Sequence, residues 1–138
     1  MIGFCGFCPP PPPPVVEVRW AGAADEDRLL MQRPDILMRL RLSPSREQAV
    51  VATLEGGSHL WLWDLSSGSR IRLTHEGFNV NPIWTADGEE VCFSSPRRGA
   101  AYDIYCQPIQ GSPEATPSGP LIESPRNKLP YSWSPDGD

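Results

Sequence analysis

The sequence predicts an all-β fold assembled from repeated small antiparallel sheets, and three observations predict it. First, a four-residue landmark recurs as Ser43-Pro44-Ser45-Arg46, Thr85-Ala86-Asp87-Gly88 and Ser134-Pro135-Asp136-Gly137. The first residues of these landmarks stand 42 and 49 positions apart. Second, the interiors repeat. After the first landmark come Gln48 to Leu54, the turn Gly56-Gly57-Ser58, the run Leu60-Trp61-Leu62-Trp63-Asp64-Leu65, the turn Ser66-Ser67-Gly68, and Arg70 to Thr74. After the second come Glu90 to Ser95, the turn Arg97-Arg98-Gly99, Tyr102 to Cys106 and a turn at Gly111. Third, no stretch carries a sustained helical apolar period, so almost no helix is expected. Short β-branched and aromatic runs punctuated by Gly, Asp, Ser and Pro read as antiparallel hairpins. A period of roughly 40–50 residues built from such strands is the signature of propeller blades. The expected architecture is a partial β-propeller of two to three four-stranded antiparallel blades behind a disordered N-terminal leader.

Taken in order, residues 1–14 read as a Pro-rich, polyproline II leader, because Pro9 to Pro14 form an unbroken run. Met1 to Cys8 is apolar but lacks the basic n-region of a signal peptide. Val15 to Trp20 and Arg28 to Gln32 read as strands joined by a loop over 21–27. Asp35 to Leu42 leads into the first clear repeat, so residues 15–42 read as a partial or irregular first blade. Blades are expected over 43–84 and 85–133, each closing on an aromatic before the next landmark, Trp84 and Trp133. Residues 134–138 start a further one. Asp-Gly at 87–88 and 136–137 suits a tight turn, since Gly adopts positive φ freely and Asp tolerates it. Ser45-Arg46 lacks that pair, so the first landmark turn is expected to be looser or of another type.

Composition excludes several function classes. The formal net charge is −5 and no basic stripe is visible, which argues against a nucleic-acid surface. No apolar run approaches the ~20 residues that span a bilayer. Cys92 and Cys106 each fall in an apparent strand and are expected to be buried free thiols. Cys5 and Cys8 have a metal or redox spacing. A zinc site needs about four ligands, and the only histidines, His59 and His75, lie far along the chain. The pair therefore reads as a chance spacing in the leader.

Other candidates resolve the same way. Gly56-Gly57-Ser58-His59-Leu60 resembles a nucleophile turn but has Leu60 where Gly belongs and strands on both sides. Asp64, Asp87, Asp103 and Asp136 repeat in position, as turn caps do, and His75 reads as a turn residue. Trp61 and Trp63 alternate with Leu60 and Leu62, a two-sided apolar run that reads as a buried strand. Arg97-Arg98 reads as a solvated hairpin tip. No phosphate loop, kinase catalytic signature or triad occurs. No catalytic, cofactor-binding or metal-ligating residue, and no cofactor, is expected.

Ser134-Pro135-Asp136-Gly137, Arg72-Leu73-Thr74, Phe93-Ser94-Ser95 and Tyr102-Asp103-Ile104-Tyr105 together resemble the Pro-Asp-Gly variety of WD-like repeat. That repeat is found in TolB, in bacterial proteins with several such blades, and in the propellers of prolyl oligopeptidase-type peptidases. The resemblance covers Leu42 to the C-terminus. Pro82-Ile83-Trp84-Thr85, Leu121-Ile122-Glu123-Ser124-Pro125 and Tyr131-Ser132-Trp133-Ser134 are most similar to propellers attached to bacterial serine/threonine kinases. Ser45-Arg46 and the insert Pro113 to Pro120 depart from the pattern.

The resemblance implies a non-enzymatic interaction or sensor module with a protein or peptide partner, cytoplasmic or periplasmic in a bacterium. The alternatives it leaves are a fragment of a peptidase's gating propeller or a TolB-like periplasmic scaffold. Propellers close with several blades, so the chain is expected to be a fragment needing further blades or self-association. An aromatic left open forgoes roughly 4–6 kcal/mol of burial, against a whole-domain stability of ~5–15 kcal/mol.

Overall fold

The computed structural model describes residues 15–21, 27–33, 37–54, 56–97, 99–110, 117, 119–122, 124–134 and 136. The leader with Cys5, Cys8 and Pro9 to Pro14, most of the 21–27 loop, Arg98 and the Gly111 turn lie outside the described residues. The chain divides into two compact units, Met1–Pro34 and Asp35–Asp138. Every described element is a strand.

The first unit holds one hairpin, β1 Val16–Ala21 paired antiparallel with β2 Asp27–Arg33. Arg19 Nε donates to both Asp27 carboxylate oxygens at 2.9 and 3.1 Å. These groups are exposed, so the pair adds little to stability.

The second unit holds two antiparallel sheets. One has the order β3 Leu37–Leu42, β4 Gln48–Thr53, β5 His59–Asp64, β6 Arg70–Arg72. The other has the order β7 Val80–Trp84, β8 Glu90–Ser95, β9 Asp103–Pro108. Each landmark turn joins the first and second strands of its sheet. The sheets, over 37–72 and 80–108, are therefore out of phase by one strand with repeats counted from turn to turn. β4 reads Ala-Val-Val-Ala over 49–52 because both of its faces are buried, which favours a continuous apolar run over alternation.

The two described landmark turns are the same turn. Ser43 N donates to Gln48 O at 2.9 Å, and Thr85 N to Glu90 O at 3.0 Å. Arg46 N donates to Ser43 O at 2.9 Å, as Gly88 N does to Thr85 O at 3.0 Å. Side chains substitute in kind. Ser43 Oγ and Thr85 Oγ1 accept from the N–H of Gln48 and Glu90 at 3.1 and 3.0 Å, and Ser45 Oγ takes the Asp87 carboxylate's place in accepting from the second residue on. The expectation of a looser first turn is thus corrected. Arg46 adopts φ 62° where Gly88 adopts 75°, so the hydrogen bonds impose the geometry on a residue that disfavours it. The left-handed region costs an L-residue roughly 1–2 kcal/mol, partly offset by glycine's greater unfolded freedom. Arg46→Gly is therefore expected to stabilise the chain by about 0.5–1 kcal/mol in urea unfolding; a destabilised variant would contradict the turn equivalence.

The core lies between the sheets. Val50, Ala52, Leu60, Leu62 and Leu73 face Trp84, Val91, Phe93 and Tyr105, all at most 7% exposed. Two side chains stitch the layers to each other's backbone. Trp84 Nε1 donates to Arg41 O at 3.0 Å, and Gln107 Nε2 to Leu73 O at 2.7 Å.

The second sheet has three strands where four were expected. Its fourth place survives as a single bond, Leu121 N to Ile104 O at 2.7 Å, matching Leu73 N to Leu60 O at 2.8 Å in the first sheet. Pro120 stands where Arg72 stands in β6, and proline has no N–H for the ladder. Pro120 thus removes one ladder donor from that place.

A second correction concerns sulfur. Cys92 and Cys106 are not free thiols: they form a disulfide across β8 and β9. They stand directly opposite each other in register, just as Val50 stands opposite Leu62 in the first sheet.

Candidate functional site

Register assigns each side chain to a face. On the second sheet, Val91, Phe93 and Tyr105 point into the core, so Cys92, Ile104 and Cys106 point the other way. Ile83 pairs with Cys92 and shares that outward face. Its positions correspond to Val50, Ala52, Leu60 and Leu62 of the first sheet, the residues that face buries against its neighbour. The outward face is therefore the repeat of a face built to be covered.

Residues 121–134 run beside it and rim a hollow of about 320 Å³ lined by Ile83, Cys92, Ile104, Leu121, Ile122 and Trp133 among others. The segment is pinned. Lys128 N donates to Tyr102 O at 2.8 Å, Ser94 Oγ donates to Lys128 O at 2.7 Å, and Asn127 Oδ1 accepts from Tyr102 N at 2.9 Å. Lys128, the only lysine, forms an ion pair with Asp103 and donates to Ser124 O at 2.8 Å. Asp103 is thus an anchor for this segment and not the turn cap that its repeated position predicts. Leu121, Ile122 and Tyr131 nevertheless remain 56%, 53% and 70% exposed. Trp133 occupies the repeat position of Trp84, but its indole Nε1 is buried without a hydrogen-bond partner among the described residues.

A second polar corner lies where the chain crosses between the sheets. Asn79, fully buried, donates through Nδ2 to Glu76 O at 2.8 Å and Thr74 Oγ1 at 3.1 Å, and its main-chain carbonyl accepts from Ser58 Oγ at 2.5 Å. Thr74 Oγ1 also accepts from Leu60 N at 2.9 Å. The Gly56-Gly57-Ser58 segment is a hairpin turn with both glycines at positive φ, and Ser58 serves this network. Arg97 does not solvate a tip. Its guanidinium lies 5.5 Å from the Phe93 ring centre and 5.4 Å from that of Tyr105. Burial pushes its pKa down from the ordinary arginine value.

The remaining carboxylates behave as structural caps. Asp64 Oδ1 accepts from the N–H of Ser66 and Ser67 at 3.0 and 2.8 Å and from both hydroxyls at 2.6 and 2.9 Å. The Ser66 hydroxyl leads these donors in holding the Asp64 pKa at about 2, against an ordinary 3.8. The depressed value stabilises the fold above pH 3.8, and that contribution is lost as pH falls toward about 2. A carbon-13 carboxyl titration is expected to place the Asp64 midpoint near 2; a midpoint at the ordinary value would remove the cap. Asp87 is lowered by the Thr85 hydroxyl and the Glu89 N–H. Asp87, Glu89 and Glu90 also border an acidic hollow of about 350 Å³ with Pro108 and Gln110. Asp136 sits in a turn, and His75 is exposed. Trp63 is buried and Trp61 half-buried, with Arg70 lying 4.9 Å from the Trp61 ring centre. Among the described residues, no group of three or more His, Cys, Asp or Glu is placed to hold a metal, and no helix is long and apolar enough to cross a membrane.

Comparison with known proteins agrees on the fold. The chain superposes on TolB from Acinetobacter baumannii with a TM-score of 0.58 at 21% identity, covering 67% of this chain and 24% of that one. It superposes on a putative TolB from Agrobacterium tumefaciens with a TM-score of 0.65 at 23% identity, covering 81% and 39%. In sequence it is 32% identical over 82 residues to the uncharacterized peptidase YuxL of Bacillus subtilis, a stretch covering 59% of this chain and 12% of that protein. No protein-family model matches.

Proposed function

We propose that this chain is a non-enzymatic, protein-binding segment of a TolB-like β-propeller. The observation that carries the reading is the outward face of β7-β8-β9, which repeats a buried face and is flanked by the exposed Leu121 and Ile122. Burying apolar area of this kind is the dominant favourable term in association. In this reading the sequence repeats run 43–84 and 85–133 from turn to turn, and the blades are the sheets β3-β4-β5-β6 and β7-β8-β9. The wording of 82–85, 121–125 and 131–134 favours a sensor or scaffold attached to a kinase.

The test is a photo-crosslinking residue at Tyr131 in the source cell. One defined protein is expected in the crosslink, and Ile122→Glu is expected to abolish it. Crosslinks that survive Ile122→Glu, or none at all, would overturn the reading.

The likeness to YuxL favours a second reading, a gating propeller segment of a serine peptidase. The flanking reading frame separates the two. A downstream G-x-S-x-G supports the peptidase, and an upstream kinase signature supports the sensor.

A further inference from the structure

We propose that Arg97 is the cationic floor of a carboxylate-binding site at the crossing between the two sheets. The site is separate from the outward apolar face and stands whether or not that face docks a partner.

The case begins with a charge that has no counter-ion. Arg97 is half-buried, yet no carboxylate pairs with it among the described residues. Among the described residues its hydrogen bonds run from Nη2 to neutral oxygens, Glu76 O at 3.4 Å and Asn79 Oδ1 at 3.5 Å, and both are long. Its Nε is buried and makes none. A guanidinium offers five donors in a fixed planar fork, and the described protein atoms take up only those of Nη2. Removing such a cation from water without a partner is costly, and an anion at the same place recovers that cost.

The surroundings hold the group still and offer further donors. The rings of Phe93 and Tyr105 flank the guanidinium at 5.5 and 5.4 Å and restrict it, so less side-chain freedom is lost on binding. Ser95 Oγ and Tyr105 Oη, in residues exposed by no more than 2%, are buried hydroxyls with no partner among the described residues. Gly77 lets these groups gather. A Cβ there would lie 2.9 Å from Ser95 Oγ and 3.3 Å from Arg97 Cγ, and its φ of +76° also excludes most side chains. Buried donors without acceptors are uncommon in native proteins. A water would satisfy the hydroxyls but supplies no counter-charge. A carboxylate supplies both, from an acidic side chain of a peptide or from a chain terminus. Glu76 is the nearest competitor, since its charge acts on Arg97 without pairing with it.

The test follows the Arg97 Nε–Hε signal by NMR in the whole chain. Three probes are titrated: acetyl-Ala-Glu-Ala-amide, its Gln counterpart, and acetyl-Ala-Ala-Ala with a free carboxyl end. At least one carboxylate peptide is expected to shift the signal saturably while the Gln amide leaves it still; whichever does so identifies the source of the anion. Glu76→Gln is expected to tighten that binding about threefold by removing the competing charge. Arg97→Lys is expected to abolish it. An unmoved signal with both carboxylate peptides, or an equal shift with the Gln amide, would overturn the assignment, and neither outcome depends on whether Arg97→Lys folds.

Discussion

Phe93→Ala is expected to remove about 3–5 kcal/mol of stability, as Phe93 is the largest of the fully buried side chains. Phe93 is fully buried at the centre of the inter-sheet core, with Tyr105 stacked beside it at 6.3 Å between ring centres. Truncation forfeits the transfer energy of the ring and leaves a cavity between two sheets. Those sheets cannot collapse onto it, because Trp84 and Gln107 tie each layer to the other's backbone. It also removes one of the two rings that hold Arg97. Set against a total of ~5–15 kcal/mol for an ordinary domain, the loss brings the unit close to unfolding at room temperature. Urea unfolding followed by tryptophan fluorescence reads the effect, with Ile71→Ala as control. Ile71 is 52% exposed on the three-residue strand β6 and is expected to cost under about 0.5 kcal/mol. Equal losses for the two substitutions would mean that the sheets do not share this core.

Much of this core can be read from the sequence, because a repeat fixes register. The landmarks at Ser43 and Thr85 align β4 with β8, and their spacing assigns which apolar residues share a face. What escaped were contacts between residues distant in the chain. Arg97 beside Gly99 looks like any solvated hairpin tip until Phe93 and Tyr105 are folded beneath it. Lys128 and Asp103 are 25 residues apart, and only the return of the chain along β9 pairs them. Asn79 carries no motif, yet it organises the crossing between the sheets. The first landmark turn misled because residue preference was weighed above hydrogen-bond demand: Arg46 accepts a strained φ that a full set of turn bonds imposes. The cysteines misled differently. Each alone reads as an ordinary strand residue. Carrying the Val50–Leu62 pairing over to the second repeat would have set Cys92 opposite Cys106.

Reduction of the Cys92–Cys106 disulfide is expected to lower stability by about 2–3 kcal/mol. The bond closes a loop between residues 14 apart, and a loop of that size confines the unfolded chain by roughly 3 kcal/mol in the chain-entropy account. It is not needed to align the strands, because β8 and β9 pair along their whole length and the first sheet holds the same register with Val50 and Leu62. That equivalence supplies the informative variant. In a Cys5→Ser, Cys8→Ser background, Cys92→Val with Cys106→Leu copies the first sheet's pair onto the second. The double variant is expected to fold, to unfold between the oxidised and reduced forms, and to ignore dithiothreitol. Its added methylenes regain about 1 kcal/mol over the reduced thiols, since a fully buried CH₂ is worth ~0.8 kcal/mol and this face is only partly covered. Coincident urea midpoints for the oxidised and reduced forms would show that the cross-link does not constrain the unfolded chain. A double variant less stable than the reduced thiols would show that this face rejects the aliphatic pair its counterpart buries, and with it the repeat equivalence on which the outward face is read as a docking surface.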